Sequence, residues 1–291
     1  MQKKKIKQRG SGFGISIVYL FFRIFGYKGM RFLLFFVVFY YTLTTPKIKR
    51  YLREYYLLVT GKFNFFIYYK HMYTFALVFA DRILSKRFLS KYKLQTFQAD
   101  VIDVERGSIF LFSHIGDWSM CGLVPTRKKV QINVVMHEAI KKSIKKFSQT
   151  IQEEIVSNIN VIDLAEGSMS VALKVANALK NREIVGMMVD RYLSKEGAQE
   201  VKFFGKNVWI NRNPFEVAYN RDVPIVALFS LRKADYIYNS YYYNLPAFDR
   251  SLPKKESIAK IAQAYMHLLE ETLKKHPEQW FNHYDFFETQ S

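Results

Sequence analysis

The sequence predicts an α/β fold, with a mostly parallel mixed sheet flanked by helices and a helical, membrane-associating N-terminal part. Three observations indicate this. Short apolar runs recur from about residue 100, stretches of helical pattern separate the first four of them, and two apolar segments rich in aromatics precede residue 44. Continuous apolar strands that alternate with helices are typical of parallel sheets covered on both faces. We therefore divide the chain into a helical part, residues 1–98, and an α/β domain, residues 99–291.

The N-terminal part contains two apolar segments within about residues 13–43, joined at residues 26–29. Each is shorter than the roughly 20 residues that a spanning helix needs, and Arg23, Lys28 and Arg31 lie between them. They predict helices that lie in one face of a membrane, with basic flanks suited to an anionic leaflet. Burial against the main domain and a single span are the alternatives. Residues 46–98 predict further helices of mixed basic and aromatic character.

The α/β domain follows as a series of short elements. Apolar runs predict strands at residues 108–114, 131–137, 159–164, 183–190 and 223–231. Residues 200–204 and 236–245 predict added strands. Helical patterns lie at residues 117–124, 139–156, 167–181 and 253–275.

The composition narrows the function classes. Lys and Arg number 44 against 25 Asp and Glu, a formal net charge of +19, which indicates nucleic acid, an anionic membrane or an acidic protein as partner. The single cysteine, Cys121, excludes an internal disulfide framework and a cysteine metal cluster. The histidine spacing predicts no metal site, and neither a phosphate-binding glycine loop nor a G-x-S-x-G motif occurs.

The stretch SHIGDW provides the first candidate site, because it follows a predicted strand and chemistry in such sheets collects at the carboxyl ends of strands. His114 is a candidate general base, since imidazole accepts a proton near neutral pH. Gly116 allows a tight turn and the close approach of a ligand. Asp117 either orients the His114 ring or caps the helix that follows, and the pattern alone leaves both open.

Two arginines provide candidate anion sites. Arg191 ends a predicted strand, where a guanidinium can bind a phosphate or carboxylate. An ion pair with Asp190 or Glu196 is the alternative. Arg212 lies beside the start of a helix that has Pro214 in its first turn, and helix N-termini bind anions.

These stretches, in their order and spacing, resemble the lysophospholipid-acyltransferase-like superfamily, and within it the late lipid A (lauroyl and myristoyl) acyltransferases. The resemblance extends over nearly the whole chain. It includes QRGSGFG, SHIGDW, GMMVDRY with VKFFGK, NPFEVAYNRDVPIVALF and QWFNHYDFF.

The resemblance implies transfer of a fatty acyl group from acyl carrier protein, or acyl-CoA, to a hydroxyl or amine of a membrane lipid or glycolipid such as a lipid A precursor, with no further cofactor. The family's H-x4-D/E motif places its base at His114 and its acid at Ser119, which carries no charge. The resemblance therefore predicts that Asp117, with Ser119, orients the ring, or that His114 acts without a carboxylate. Backbone N–H groups near Gly116 are candidates for stabilising the oxyanion, and Arg191 for binding a phosphate or carboxylate.

The expected location is the cytoplasmic face of the bacterial inner membrane, reached peripherally or through a single N-terminal span. The expected partners are acyl carrier protein, the lipid acceptor and an anionic membrane surface, with no nucleic acid. Two other functions stay open at this point. Ser119 favours an inactive relative that binds acyl chains or carrier protein, and the charge alone favours a nucleic-acid-binding protein.

Overall fold

A seven-stranded mixed sheet forms the centre of the protein in a computed structural model, which describes residues 12–102, 106–121, 130–136, 159–192 and 194–287. The strands of this sheet are β1 Lys93–Phe97, β2 Ser108–Phe112, β3 Ile132–Met136, β4 Ile159–Asp163, β5 Ile184–Met188, β8 Ile225–Ala234 and β9 Ile237–Asn244. A separate antiparallel hairpin consists of β6 Ala198–Phe203 and β7 Lys206–Asn211. The predicted helix at residues 139–156 lies outside the described residues, as does the basic stretch before residue 12.

The strand order is β1-β9-β8-β2-β5-β3-β4, and every neighbouring pair is parallel except β8 with β9. All residues of β2 and β3 are buried, as expected for central strands covered on both faces. The predicted fold class is confirmed. The predicted strands that lie within the described residues form at the expected places.

The described helices are α1 Gly12–Thr44, α2 Pro46–Thr60, α3 Phe65–Phe88, α4 Trp118–Cys121, α5 Ser168–Lys180, α6 Asn213–Arg221 and α7 Lys254–Lys275. The two apolar segments predicted near the N-terminus form the single kinked element α1. Its kink lies at Gly26, whose φ of 65° is a left-handed conformation that glycine adopts without steric cost. Among the described helices, none has the length and apolarity that crossing a bilayer requires.

A buried carboxylate fastens the N-terminal helices to the sheet. Asp81 of α3 accepts hydrogen bonds from the hydroxyls of Tyr27, Tyr92 and Tyr238 at 2.7, 2.9 and 2.9 Å. The guanidinium of Arg232, on β8, donates from Nε to the same carboxylate at 2.9 Å. Burying an unpaired charge is costly, so separating Asp81 from these four donors would be unfavourable. The hydrogen bonds therefore hold α1, α3, β8 and β9 in one arrangement.

Strand β1 differs from the prediction. Residues 46–98 predicted helices, and the boundary at residue 98 placed Lys93–Phe97 in the helical part, yet these residues form the edge strand of the sheet, parallel to β9. Four of the five β1 residues are exposed, so no alternating apolar pattern marks the strand in the sequence. One side of β9 pairs with β8, and β1 pairs with the backbone on its other side.

Candidate active site

The candidate site lies at the carboxyl ends of β2 and β5, which are neighbours in the sheet. Phe112 and Met188, the last residues of these strands, are paired in register. His114 lies two residues beyond the end of β2, and Asp190 lies two residues beyond the end of β5. Because the two strands are parallel and both residues lie two positions beyond the same register pair, their side chains come close together.

His114 and Asp190 form a hydrogen-bonded pair. Nδ1 of His114 lies 2.8 Å from Oδ1 of Asp190, and the backbone N–H of His114 donates to Oδ2 at 2.8 Å. The carboxylate is completely buried, whereas 28% of the imidazole is exposed. Since an ionised carboxylate only accepts hydrogen bonds, Nδ1 is the donor in this contact. The other ring nitrogen, Nε2, is not part of it.

The charge of Asp190 is maintained by its neighbours. Burial raises the pKa of this carboxyl, but the charge and the two hydrogen bonds of His114, together with the charge of Arg191, outweigh burial and lower the pKa below its ordinary value. Asp190 is therefore ionised at neutral pH.

A segment near the C-terminus, Gln279–Tyr284, is hydrogen-bonded to both loops of the site. The indole N–H of Trp280 donates to Oδ2 of Asp190 at 3.1 Å, and the Tyr284 hydroxyl donates to the backbone carbonyl of Asp190 at 2.9 Å. The backbone N–H of Phe281 donates to the carbonyl of His114 at 2.6 Å. Both loops that carry the pair thus contact this segment.

Gly116 has a different role from the expected one. Its N–H donates to the carbonyl of Gln279 and the N–H of Asp117 donates to the carbonyl of Ser230, each at 2.8 Å. A Cβ at Gly116, which has a φ of +55°, would lie 1.8 Å from the Ser230 carbonyl oxygen. The close approach that glycine permits is to β8, and these two N–H groups are already used rather than open to an oxyanion.

Asp117 begins the short helix α4. Its Oδ1 accepts from the backbone N–H and the hydroxyl of Ser119 at 3.1 and 2.7 Å, which is the capping alternative. Arg82 of α3 donates from Nε to the same oxygen at 3.0 Å. The carboxylate in contact with the His114 ring is Asp190. Of the two roles that the sequence left open for Asp117, the structure shows the capping one, because Asp117 is bound by Ser119 and Arg82.

Arg191 is brought to the site, directly after Asp190. Its Nε donates to Oδ1 of Asn282 at 3.2 Å, and its guanidinium carbon lies 4.9 Å from the ring centroid of Tyr284. The residue is exposed. Its hydrogen bond thus goes to an amide of the C-terminal segment, and the guanidinium faces solvent beside the His114 pair.

Arg212 is not brought to the site. Its Nε lies 3.3 Å from a carboxylate oxygen of Glu216, and its Nη2 donates to the carbonyl of Glu196 at 2.9 Å. Glu216 lies in the first turn of α6, and Glu196 lies in the loop before β6. Arg212 therefore links the start of α6 to the loop before β6.

From the sequence, His114 was predicted as a site residue, whereas Asp190 was considered only as an ion-pair partner of Arg191. It interpreted the aromatic C-terminal segment as core packing. The matching offsets of His114 and Asp190 from two apolar runs were the available signal. Among the residues that the structure describes, no group of three His, Cys, Asp or Glu side chains is arranged to hold a metal ion.

The sequence profile of the bacterial lipid A biosynthesis acyltransferases matches residues 51–284, a range that contains the whole sheet and both loops of the site. The chain belongs to this family. It is an acyltransferase that acts on lipid-like acceptors. No curated protein matches the sequence significantly. The resemblance inferred from SHIGDW and the other motifs is thereby confirmed at the level of the family.

Proposed function

We propose that this acyltransferase moves a fatty acyl group from acyl carrier protein, or acyl-CoA, to a hydroxyl or amine of a membrane lipid or glycolipid such as a lipid A precursor. The general base in this proposal is His114. The observation that carries it is the 2.8 Å contact between Nδ1 of His114 and buried Asp190, in a chain of this family. A carboxylate on Nδ1 leaves Nε2 as the basic atom of a ring that is 28% exposed.

The chemistry is a thioester acyl transfer. Nε2 of His114 takes the proton of the acceptor as its oxygen or nitrogen attacks the acyl carbonyl carbon. The new bond to the acceptor forms, the carbon–sulfur bond breaks, and the proton passes from His114 to the departing thiolate. Asp190 stays ionised and stabilises the imidazolium between the two transfers. No net proton or electron is gained.

Arg191 is proposed to bind a phosphate or carboxylate of the acceptor or the carrier. Its exposure and its position next to Asp190 support this. In that role, Arg191→Ala raises the KM for the acceptor more than it lowers kcat. A larger effect on kcat would remove Arg191 from the binding role.

An inactive relative was favoured by Ser119 alone. Asp190 gives the His114 ring a carboxylate that does not depend on residue 119, which favours an active enzyme. Similarly, membership of an acyltransferase family accounts for the chain without a nucleic-acid-binding function.

The acceptor is proposed to be reached at the cytoplasmic face of the inner membrane. Helix α1 buries one face, which includes Met30 and Leu34, and exposes a large apolar face. The large apolar and aromatic residues exposed on α1 are Leu20, Ile24, Phe25, Phe32, Phe35, Phe36, Phe39, Tyr40, Tyr41 and Leu43. Exposed Lys47, Lys49 and Arg53 of α2 follow it in the chain. An apolar face beside cations suits peripheral binding to an anionic leaflet.

The test is acyl transfer by purified, detergent-solubilised protein. The donor is acyl carrier protein or CoA that carries a labelled acyl group, and the acceptor source is a total membrane lipid extract. A labelled lipid is expected from the wild type and from His267→Ala, since His267 is exposed on α7. His114→Ala should form none, and the mass of the product identifies the acceptor. Carrier protein that binds without any product, at every common chain length, would instead indicate an inactive relative.

A further inference from the structure

The segment Gln279–Tyr284 was interpreted from the sequence as core packing, but its polar atoms contact the candidate site. Gln279 and Phe281 exchange backbone hydrogen bonds with the loop after β2, at Gly116 and His114. Trp280 and Tyr284 donate to Asp190 in the loop after β5. Core packing needs none of these bonds, so the segment also sets how the two loops face each other.

Trp280 makes the contact closest to the chemistry. Rotation of an aspartate carboxylate about χ2 is broad, so a single partner does not fix its plane. Oδ2 of Asp190 accepts from the indole of Trp280 at 3.1 Å and from the His114 backbone at 2.8 Å. These two donors direct Oδ1 at Nδ1 of His114.

The indole is itself held firmly. Trp280 is 2% exposed, and the rings of Tyr55, Phe203 and Phe286 surround it at centroid distances of 5.0, 5.4 and 5.0 Å. A buried, ring-packed donor has little freedom to follow a moving carboxylate. Its direction therefore determines that of the carboxylate.

We propose that Trp280 is a positioning residue of the acyltransferase, whose indole N–H fixes the plane of Asp190 and thereby the orientation of the His114 imidazole. The proposal rests on the proposed role of His114. It assigns to the C-terminal segment a part in catalysis, carried through Asp190 and without contact between Trp280 and the substrate.

The test compares Trp280→Phe, which keeps an aromatic ring and removes the N–H, with Tyr55→Phe. The Tyr55 hydroxyl donates to the carbonyl of Pro277, just before the same segment, at 3.0 Å and makes no bond to Asp190. Losing a charge-assisted bond on a buried carboxylate should lower kcat about 10- to 100-fold, with the acceptor KM within about twofold. Tyr55→Phe should keep kcat within about threefold.

A second readout needs no turnover. In ¹⁵N-histidine-labelled protein, the ring nitrogen signals of His114, assigned through His114→Gln, are recorded by NMR at one neutral pH. Trp280→Phe should shift the Nδ1 signal, because the carboxylate that contacts Nδ1 loses one of the two donors that fix its plane, and Tyr55→Phe should leave that signal in place. Arg191 and His283, which are ionisable neighbours of the pair, are unchanged in both variants.

The two readouts separate the hypotheses. A wild type without turnover would overturn the proposed function, while the NMR shift would still support the positioning role of Trp280. Equal His114 Nδ1 signals and equal kcat in Trp280→Phe and Tyr55→Phe would overturn the positioning role.

Discussion

At Gly116, the loop after β2 crosses the backbone of β8 in direct contact. Ser230 belongs to a central strand that pairs with β9 on one side and β2 on the other, so its carbonyl is not free to move away. A side chain at residue 116 would meet that carbonyl and would also occupy a left-handed conformation. Both effects act on the loop that carries His114.

We predict that Gly116→Ala destabilises the protein by about 3 kcal/mol or more, through steric overlap added to backbone strain. The matched control is Gly205→Ala, where φ is +79° and a Cβ would have no atom within 4 Å. That variant should lose only about 1 kcal/mol from strain. Urea unfolding of both variants measures the difference. Equal losses would mean that the contact with Ser230 is not tight.

The residues of the site were partly predictable from the sequence. His114 follows an apolar run directly, so its place at a strand end could be read from local pattern. Its partner, Asp190, could not be read from local pattern. The sheet places β2 beside β5, although β3, β4 and α5 lie between them in the chain. The H-x4-D/E spacing directed attention to Asp117 and Ser119, which are instead joined to each other and to Arg82.

At the scale of the elements, α3 contacts the C-terminal segment through two imidazoles, of which His71 is buried and His283 is half-buried. Nε2 of His71 and Nε2 of His283 lie 3.2 Å apart, and Nδ1 of His71 lies 3.1 Å from the Tyr56 hydroxyl. Burial, and then the charge of His283, hold the pKa of His71 well below its ordinary value. Burial, together with the charges of Arg191 and His114, lowers the pKa of His283 to about 4.

This pair should make the protein sensitive to acid. A lowered pKa means that the unfolded chain binds protons first, so the pair's contribution to stability is complete above about pH 6.5 and declines as the pH falls toward 4. Between pH 7 and 5, His283 should cost about 2 kcal/mol of unfolding free energy, and His71 should add a loss of the same sign. His283→Gln should reduce this loss by about that amount, as measured by urea unfolding at both pH values. Parallel losses in wild type and variant would contradict the assignment.

Element prediction succeeded where a local pattern existed. The buried strands are apolar throughout, and α7 carries apolar residues at helical spacing, so both could be read from sequence. Strand β1 carries no such pattern, and the joining of two N-terminal segments into α1 depends on the conformation of Gly26.

Over the whole molecule, the proposed membrane contact rests on exposed apolar surface and on net charge. The net charge of +19 suits both an anionic leaflet and an acidic carrier protein. The rings of Phe32 and Phe36 on α1 are 65% and 55% exposed and contact each other at a centroid distance of 5.1 Å. Such rings gain free energy by entering the interfacial region of a bilayer.

We predict that Phe32→Ser with Phe36→Ser weakens binding to vesicles containing anionic phospholipid by more than about tenfold, since burying each ring is worth about 1.5–3 kcal/mol. The matched control, Met169→Ser with Leu173→Ser, alters two residues of α5 that are 82% and 61% exposed. It should bind like the wild type in co-sedimentation. Equal weakening by both pairs, or none by the first, would place the membrane contact elsewhere.

The most direct measurement is the kcat of acyl transfer in Asp190→Asn beside Asp117→Asn. If Asp190 orients His114, its amide variant should lose about 10²- to 10⁴-fold in kcat while remaining folded, because the ring then takes the wrong tautomer. Asp117→Asn keeps a side-chain oxygen for capping α4 and should stay within about tenfold. A large loss in Asp117→Asn with little change in Asp190→Asn would contradict the His114–Asp190 pair as the catalytic unit.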